Sequence, residues 1–389
     1  MNQPATSQKP IPRRPARIAS GMSPLAWLRL LRQHQWRMDR QGGRAAARIF
    51  FEGLLLRNMT AALDSLLYSR VVAATPLSRA PLFIIGHWRS GTTHAHNLLT
   101  LDPQHCFPNG FQCFRPRQFL VTERLFLERL RAGNAPRTRP MDDMAFDLAN
   151  PQEDEFALVN MDLPSPYLTM LFPNELPCHP EYLTLQLDAA ALEQWKQGFL
   201  TFLKRLQYHH GNDKRLVLKS PTHTARVRTL VEMFPQARFL FLVRDPYVVI
   251  HSSIRTATIL AHVFGLEAPD ETMVARETMK TLRTYRLLHE AFLRDQALLQ
   301  ENQLIQLRYE DLIANPLAAL QQVYTILGLG DFECLRPALT HQLEQERNFQ
   351  PRTQAPPSRL VALVNEHLGD LVERFGYPQR ASEPGGPMA

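Results

Sequence analysis

The stretch PLFIIGHWRSGTTHAHNLL, residues 81–99, limits the fold more than any other part of the chain. An apolar run, Leu82-Phe83-Ile84-Ile85, meets Gly86, and five residues later comes Gly91, followed by Thr92 and Thr93. Such a run reads as a strand buried on both faces, and the glycine-bounded turn after it opens a helix. Backbone N–H groups at a helix N-terminus cradle an anion, and the helix dipole favours negative charge there. The spacing is that of a phosphate-binding P-loop, except that Thr92 stands where the lysine belongs. Thr92 and Thr93 supply hydroxyl donors, and Arg89 supplies a permanent charge able to bind phosphate in bidentate fashion. Three readings stay open here: a nucleotide triphosphate site without its lysine, a site for a different phosphate, or a capped strand-to-helix turn with no ligand.

Strand and helix signals alternate from Pro81 onward, which predicts an α/β domain with a largely parallel sheet. The strand candidates are Leu82–Ile85, Leu216–Lys219, Phe239–Val243 and Leu304–Leu307. The helix candidates are Thr92–Leu101, Thr222–Phe234, Tyr247–Ile259, Glu271–Leu299, Pro316–Leu327 and Arg359–Phe375. Ligands of open α/β sheets lie beyond the carboxyl ends of the strands. Polar residues follow every candidate strand: His87 to Ser90, Lys219-Ser220, Arg244-Asp245 and Arg308-Tyr309-Glu310-Asp311.

The second informative stretch is RFLFLVRDPYVVIHSSIRT, residues 238–256. A nucleoside triphosphatase would use Asp245 as its metal-binding acid. Arg244 precedes it, however, and Pro246 is suited to the first position of a helix. Arg244 and Ser252, eight residues apart, converge on one anion if the strand end and the following helix face the same way.

Together, a strand leading through R-S-G-T-T into a helix and a second strand leading into R-D-P with a serine eight residues on resemble the sulfotransferase superfamily. The segments LVLKSPTHTARVRTLVEMFPQARFLFLVRDP (216–246), LRYEDLIANP (307–316) and ERFGY (373–377) agree with it, the last as in bacterial members. The resemblance implies a P-loop-like three-layer fold, with a central parallel sheet flanked by helices. It also implies a sulfuryl donor, 3'-phosphoadenosine 5'-phosphosulfate (PAPS), and no metal. By position, Arg89, Ser90, Gly91, Thr92 and Thr93 match the 5'-phosphosulfate loop, Arg244 and Ser252 the 3'-phosphate pair, and Tyr309 a residue beside the adenine. The donor has a single phosphate before its sulfuryl group, so a lysine for a distant γ-phosphate is not required. Many members carry lysine where this chain has Arg89, and either charge stabilises the leaving phosphate.

Sulfuryl transfer also needs a general base for the acceptor hydroxyl. The histidine of cytosolic animal members falls here on Pro221, two residues after Lys219, and the nearest histidine is His223. Three acids, Glu153, Asp154 and Glu155, stand before an apolar run at a helix start, where acids also favour the helix dipole. Glu155 or Glu153 is therefore the expected base, ahead of His223, and Lys219 is expected at the sulfuryl group. His94 and His96 read as packed helical histidines. The segments 104–120 and 156–180, rich in Phe, Leu, Met and Pro, are expected to line a pocket for an apolar or amphipathic alcohol.

Residues 1–50 hold ten basic side chains against the single acid Asp39, although the whole chain carries only +7. A basic front end on a near-neutral domain suits an anionic membrane surface, and nothing in its pattern supports nucleic-acid readout. The chain divides into a disordered basic tail (1–22), a basic amphipathic helical extension (23–78), the catalytic domain (79–377) and a flexible end (378–389). No signal peptide or membrane span is visible, and four scattered cysteines suggest a reducing compartment. The expected location is the cytoplasm, at the inner face of a membrane. The rival readings are a P-loop kinase or ATPase, and a membrane-bound scaffold without activity.

Overall fold

The structure is a computed structural model that describes residues 13–132, 147–175, 180–346 and 354–381. Five parallel strands, β1 (Leu82–Ile85), β2 (His105–Cys106), β3 (Arg215–Lys219), β4 (Arg238–Val243) and β5 (Leu304–Arg308), make one sheet in the order β2-β3-β1-β4-β5. The α/β class and P-loop-like layering expected from the sequence are observed. Alternation along the strands explains the three layers, because successive side chains of a strand point to opposite faces. Phe83, Ile85, Leu218, Phe239 and Phe241 pack with the helices Ala189–His210, Pro246–Phe264, Met273–Asp295 and Ser358–Arg374. Leu82, Ile84, Leu240, Leu242 and Ile305 pack on the other face with the helices Thr92–Leu99 and Pro316–Leu327.

The register carries the polar residues to one end. Ile84 pairs with Lys219, Ile85 with Phe241, and Val243 with Arg308. The loop after β1, Lys219, Arg244 and Tyr309 therefore meet at the carboxyl edge of the sheet, with β1 in the middle. This edge is where open α/β sheets bind ligands.

Four sequence expectations need correction. The helix expected over Thr222–Phe234 is two pieces, a 3-10 turn Pro221–Ala225 and a helix Val227–Met233. Between them Arg226 leaves helical geometry, with φ at −116° and its side chain buried against Glu155. The 22-residue helix Ala189–His210 was not among the expected elements, although Trp195, Phe199, Phe202, Leu203 and Leu206 recur at helical spacing. Its start is fixed by Asp188, whose carboxylate accepts from the Ala191 N–H at 2.8 Å. Strand β2, only two residues long, is too short for any periodic signal.

The fourth correction concerns the front end. Residues 13–22, expected in a disordered tail, are packed, with Ala16, Ile18, Ala19 and Met22 buried beside Tyr167, Leu171 and Phe172. They form a strap held by the Arg14 and Ala16 N–H groups, which donate to the Val263 and Phe264 carbonyls at 2.7 and 2.8 Å. Residues 1–12 and 382–389 lie outside the described residues. The one or two helices expected over 24–70 are Pro24–Gln33, Arg40–Glu52 and Asn58–Ala74, the last two continuous through a π-helical turn, Gly53–Arg57. The first two pack on the domain through Trp27, Leu30, Leu31, Ala46 and Ile49. Among the described residues no helix is long and apolar enough to cross a membrane.

Candidate functional site

The loop between β1 and the helix Thr92–Leu99 is built from inside. Ser90 is buried, and its hydroxyl donates to the His87 carbonyl at 2.8 Å, closing the turn. Arg89 takes a left-handed φ of 71°, uncommon for a residue with a side chain and retained only where neighbours enforce it. Here they do. The Arg89 Nε donates to the Ser252 hydroxyl at 3.0 Å, and Arg244 donates to the Arg89 carbonyl at 3.2 Å. Gly91 has φ at 95°, and a Cβ there would lie 2.1 Å from the Tyr309 ring. Only glycine lets that tyrosine close over the loop. The Arg244 guanidinium in turn lies 4.5 Å from the Tyr309 ring centre.

The structure thus brings together Arg89, Ser90, Gly91, Thr92, Thr93, Arg244, Ser252 and Tyr309, residues drawn from three strand ends and one helix. Two guanidinium groups, a helix N-terminus and an aromatic face converge, a donor set suited to a phosphorylated nucleoside. Asp245 serves another purpose. Its carboxylate accepts from the Tyr247 N–H at 2.9 Å, capping the helix that Pro246 opens, and it pairs with Arg380.

A cavity of about 470 Å³ opens beside the loop. Arg89, Thr92, Thr93 and Glu153 line one end, and Phe114, Phe156, Met170, Leu260 and Phe264 give it apolar walls. Phe114, Phe156 and Met170 fall within the segments expected to line an acceptor pocket. The contributions of the strap (Arg14, Arg17, Ile18) and of two helices (253–264 and 277–284) were not foreseen.

A line of hydrogen bonds joins cavity and loop. The Trp88 indole donates to the Tyr167 hydroxyl at 3.0 Å, and that hydroxyl donates to one oxygen of Glu153. The Lys219 ammonium donates to the other oxygen of Glu153 at 2.6 Å and to the Thr93 hydroxyl at 3.3 Å. Burial, reinforced by the Glu153 charge, holds the Tyr167 phenol well above its ordinary range, so it remains a proton donor.

The three consecutive acids have three different surroundings. Glu153 faces the cavity. Asp154 and Glu155 are wholly buried. Glu155 forms a two-point pair with Arg226 at 2.6 and 3.2 Å and accepts from Thr222 at 2.7 Å. Asp154 pairs with His223 at 2.6 Å and accepts from Ser220 at 3.0 Å. Burial pushes the Asp154 carboxyl up, but the His223 charge and these hydrogen bonds outweigh it, leaving Asp154 below the usual carboxylate range. Two of the three expected bases, Glu155 and His223, are therefore consumed in interior pairs and do not line the cavity. His96 is buried with Nε2 beside the Val217 carbonyl at 3.3 Å, and His94 packs edge-on to Tyr309.

The sequence profile of the sulfotransferase family matches residues 81–333. The omega-hydroxy-beta-dihydromenaquinone-9 sulfotransferases Stf3 of Mycobacterium bovis and Mycobacterium tuberculosis are each 37% identical to this chain over 364 residues, 92% of this chain and 91% of theirs. Two crystal structures share the fold at 20% identity. Sulfotransferase STF9 of Mycobacterium avium has a TM-score of 0.67, with 88% of this chain and 87% of that one covered. Sulfotransferase STF1 of Mycobacterium tuberculosis has a TM-score of 0.61, with 88% and 90% covered. A parallel sheet with a glycine-bounded loop in the middle of its carboxyl edge, and relatives alike over nine-tenths of the chain, lead to one conclusion: this chain belongs to the sulfotransferase family.

Proposed function

We propose that this protein transfers a sulfuryl group from PAPS to a hydroxyl of a lipid-like acceptor, with Glu153 as general base. The observation that carries this reading is the hydrogen-bonded line Trp88–Tyr167–Glu153–Lys219–Thr93, which connects an apolar cavity to the anion loop. Bound at the loop, PAPS would supply the sulfuryl group and leave as 3'-phosphoadenosine 5'-phosphate (PAP). Arg89, the loop amides and the threonine hydroxyls hold the 5' end, while Arg244 and Ser252 hold the 3'-phosphate against Tyr309. Glu153 takes the proton of the acceptor hydroxyl as its oxygen attacks sulfur. Lys219 spans the base and the loop, and with Arg89 offsets the charge that builds on the leaving phosphate. The apolar walls fit an acceptor with a hydrocarbon body, in keeping with relatives named for a menaquinone-derived lipid. Such an enzyme works in the cytoplasm, where a membrane presents its acceptor.

Incubation with radiolabelled PAPS and a total lipid extract tests this reading, with label expected in a hydroxylated lipid. In the Glu153→Gln enzyme, turnover falls about 10²- to 10⁴-fold while PAP binding is kept. Tight ATP binding that PAP fails to displace would sink the proposal in favour of a kinase or ATPase.

A further inference from the structure

The helical stretch of residues 40–74 presents an unusual outer face. Its inner side is fixed to the domain: Asp64, wholly buried, pairs with Arg205 at 2.6 Å, and Val72 is buried below it. Its outer side carries Leu55, Met59, Leu63, Leu66, Leu67 and Val71, all exposed, Met59 at 72% and Leu66 at 81%. The i, i+4, i+7, i+8 spacing of Met59, Leu63, Leu66 and Leu67 puts them on one stripe. Only Arg70 among the exposed residues of that stripe is charged. Among the described residues nothing covers it. A stripe this long and apolar marks an interaction surface.

We propose that this face docks into the surface of an anionic bilayer. The charge balance of the front end that carries it selects that partner. Between residues 13 and 74 the acids are Asp39, Glu52 and Asp64, and each faces an arginine: Arg13 at 2.7 Å, Arg48 at 3.8 Å and Arg205 at 2.6 Å. Arg29, Arg32, Arg40 and Arg44 are exposed in the same stretch. A second copy docked on this face would bring the same excess of arginine toward itself, whereas a bilayer offers acidic headgroups to the arginines and acyl chains to the leucines. The geometry also links the face to the cavity. The strap that supplies Arg14, Arg17 and Ile18 to the cavity wall runs directly into the helix Pro24–Gln33, which packs on the stretch that docks. The surface stands on its own observations; that it serves delivery of a lipid acceptor rests on the function proposed above.

The test is flotation of the full chain with vesicles of phosphatidylcholine, with or without an equal part of phosphatidylglycerol. The expected result is co-flotation with the anionic vesicles. Partitioning falls about tenfold or more in Leu63→Ser/Leu66→Ser/Leu67→Ser, since binding scales with buried apolar area. Arg40→Gln/Arg44→Gln should lose mainly the phosphatidylglycerol-dependent part. PAP binding by calorimetry, unchanged in both variants, reports that the fold is intact. Wild-type protein that stays at the bottom of the gradient overturns the proposal. Sedimentation velocity then separates a dimer broken by the leucine substitutions, meaning a second copy, from a monomer throughout, meaning cover by the chain's own undescribed residues. Flotation that ignores the leucine substitutions also overturns it. A wild-type chain that floats but fails to bind PAP refutes the donor site and leaves the surface standing.

Discussion

Glu153 and Glu155 are two positions apart, and the helix that begins at Glu155 turns one outward and the other inward. Their substitutions should separate cleanly. Glu153→Gln is expected to abolish most turnover and to lower the melting temperature less than Glu155→Gln does, because the amide oxygen can still accept one of the bonds from Tyr167 and Lys219, and Lys219 keeps its bond to Thr93. Glu155→Gln removes the charge that faces buried Arg226 and should cost about 3 kcal/mol, because an unpaired buried charge is left behind. Parallel thermal melts and turnover assays check both, and a Glu155→Gln protein of normal stability with no activity would reverse their roles. Arg244→Ala should weaken PAP binding at least about tenfold, read by calorimetry, since it would remove the charge-assisted contact proposed for the 3'-phosphate and does remove the partner of the Tyr309 ring.

At the scale of elements, the loop after β1 depends on the approach of the segment after β5. Gly91→Ala puts a methyl group into the Tyr309 ring at a backbone angle that alanine resists. PAP affinity is expected to fall by about tenfold or more, with a drop in melting temperature, while Gly43→Ala, where a Cβ has its nearest neighbour at 3.6 Å, should do neither. Among the described residues the helix Asn58–Ala74 buries only Asp64 and Val72, so the Asp64–Arg205 pair holds it more than apolar burial does. Burial holds the Asp64 carboxyl above its ordinary range, with Arg205 opposing. Asp64→Asn should therefore loosen this helix first, seen as faster hydrogen exchange over residues 58–74 with the sheet still protected.

Across the whole molecule, acid should act through interior histidines. Burial holds His87 at about 4, and His96 and His289 at about 3, so all three are neutral in the fold. Among the described residues His87 Nε2 and His96 Nδ1 have no hydrogen-bond partner, so an added N–H there would have nothing to donate to. Unfolded, each binds a proton near pH 6.5. The unfolded chain thus takes up more protons below that value, and stability must fall as pH drops from about 6.5 toward 4. Melting temperatures measured from pH 7.5 to 5 should decline steadily, and a flat profile would contradict the assignment. Asp154 adds a second loss at lower pH: its depressed folded value stabilises the chain above about 3.8, and that contribution goes as pH falls through the folded value.

The sequence by itself determined β1, the loop after it, the R-D-P helix start and the α/β class. Each is written in contiguous residues, where short-range sterics, alternation and capping decide the backbone. Strands β1, β3, β4 and β5 accordingly lie within a residue of their expected ends. Tertiary structure alone decided which acid faces the cavity, because that choice depends on Arg226, 71 residues beyond Glu155, and on His223, 69 beyond Asp154. The cavity walls likewise come from residues 14–18, 253–264 and 277–284, which no local pattern joins. The apolar stripe of residues 55–71 reads in sequence like any helix side meant for burial. Only the packing of the domain, which uses Asp64 and Val72 on the opposite side, left it facing outward.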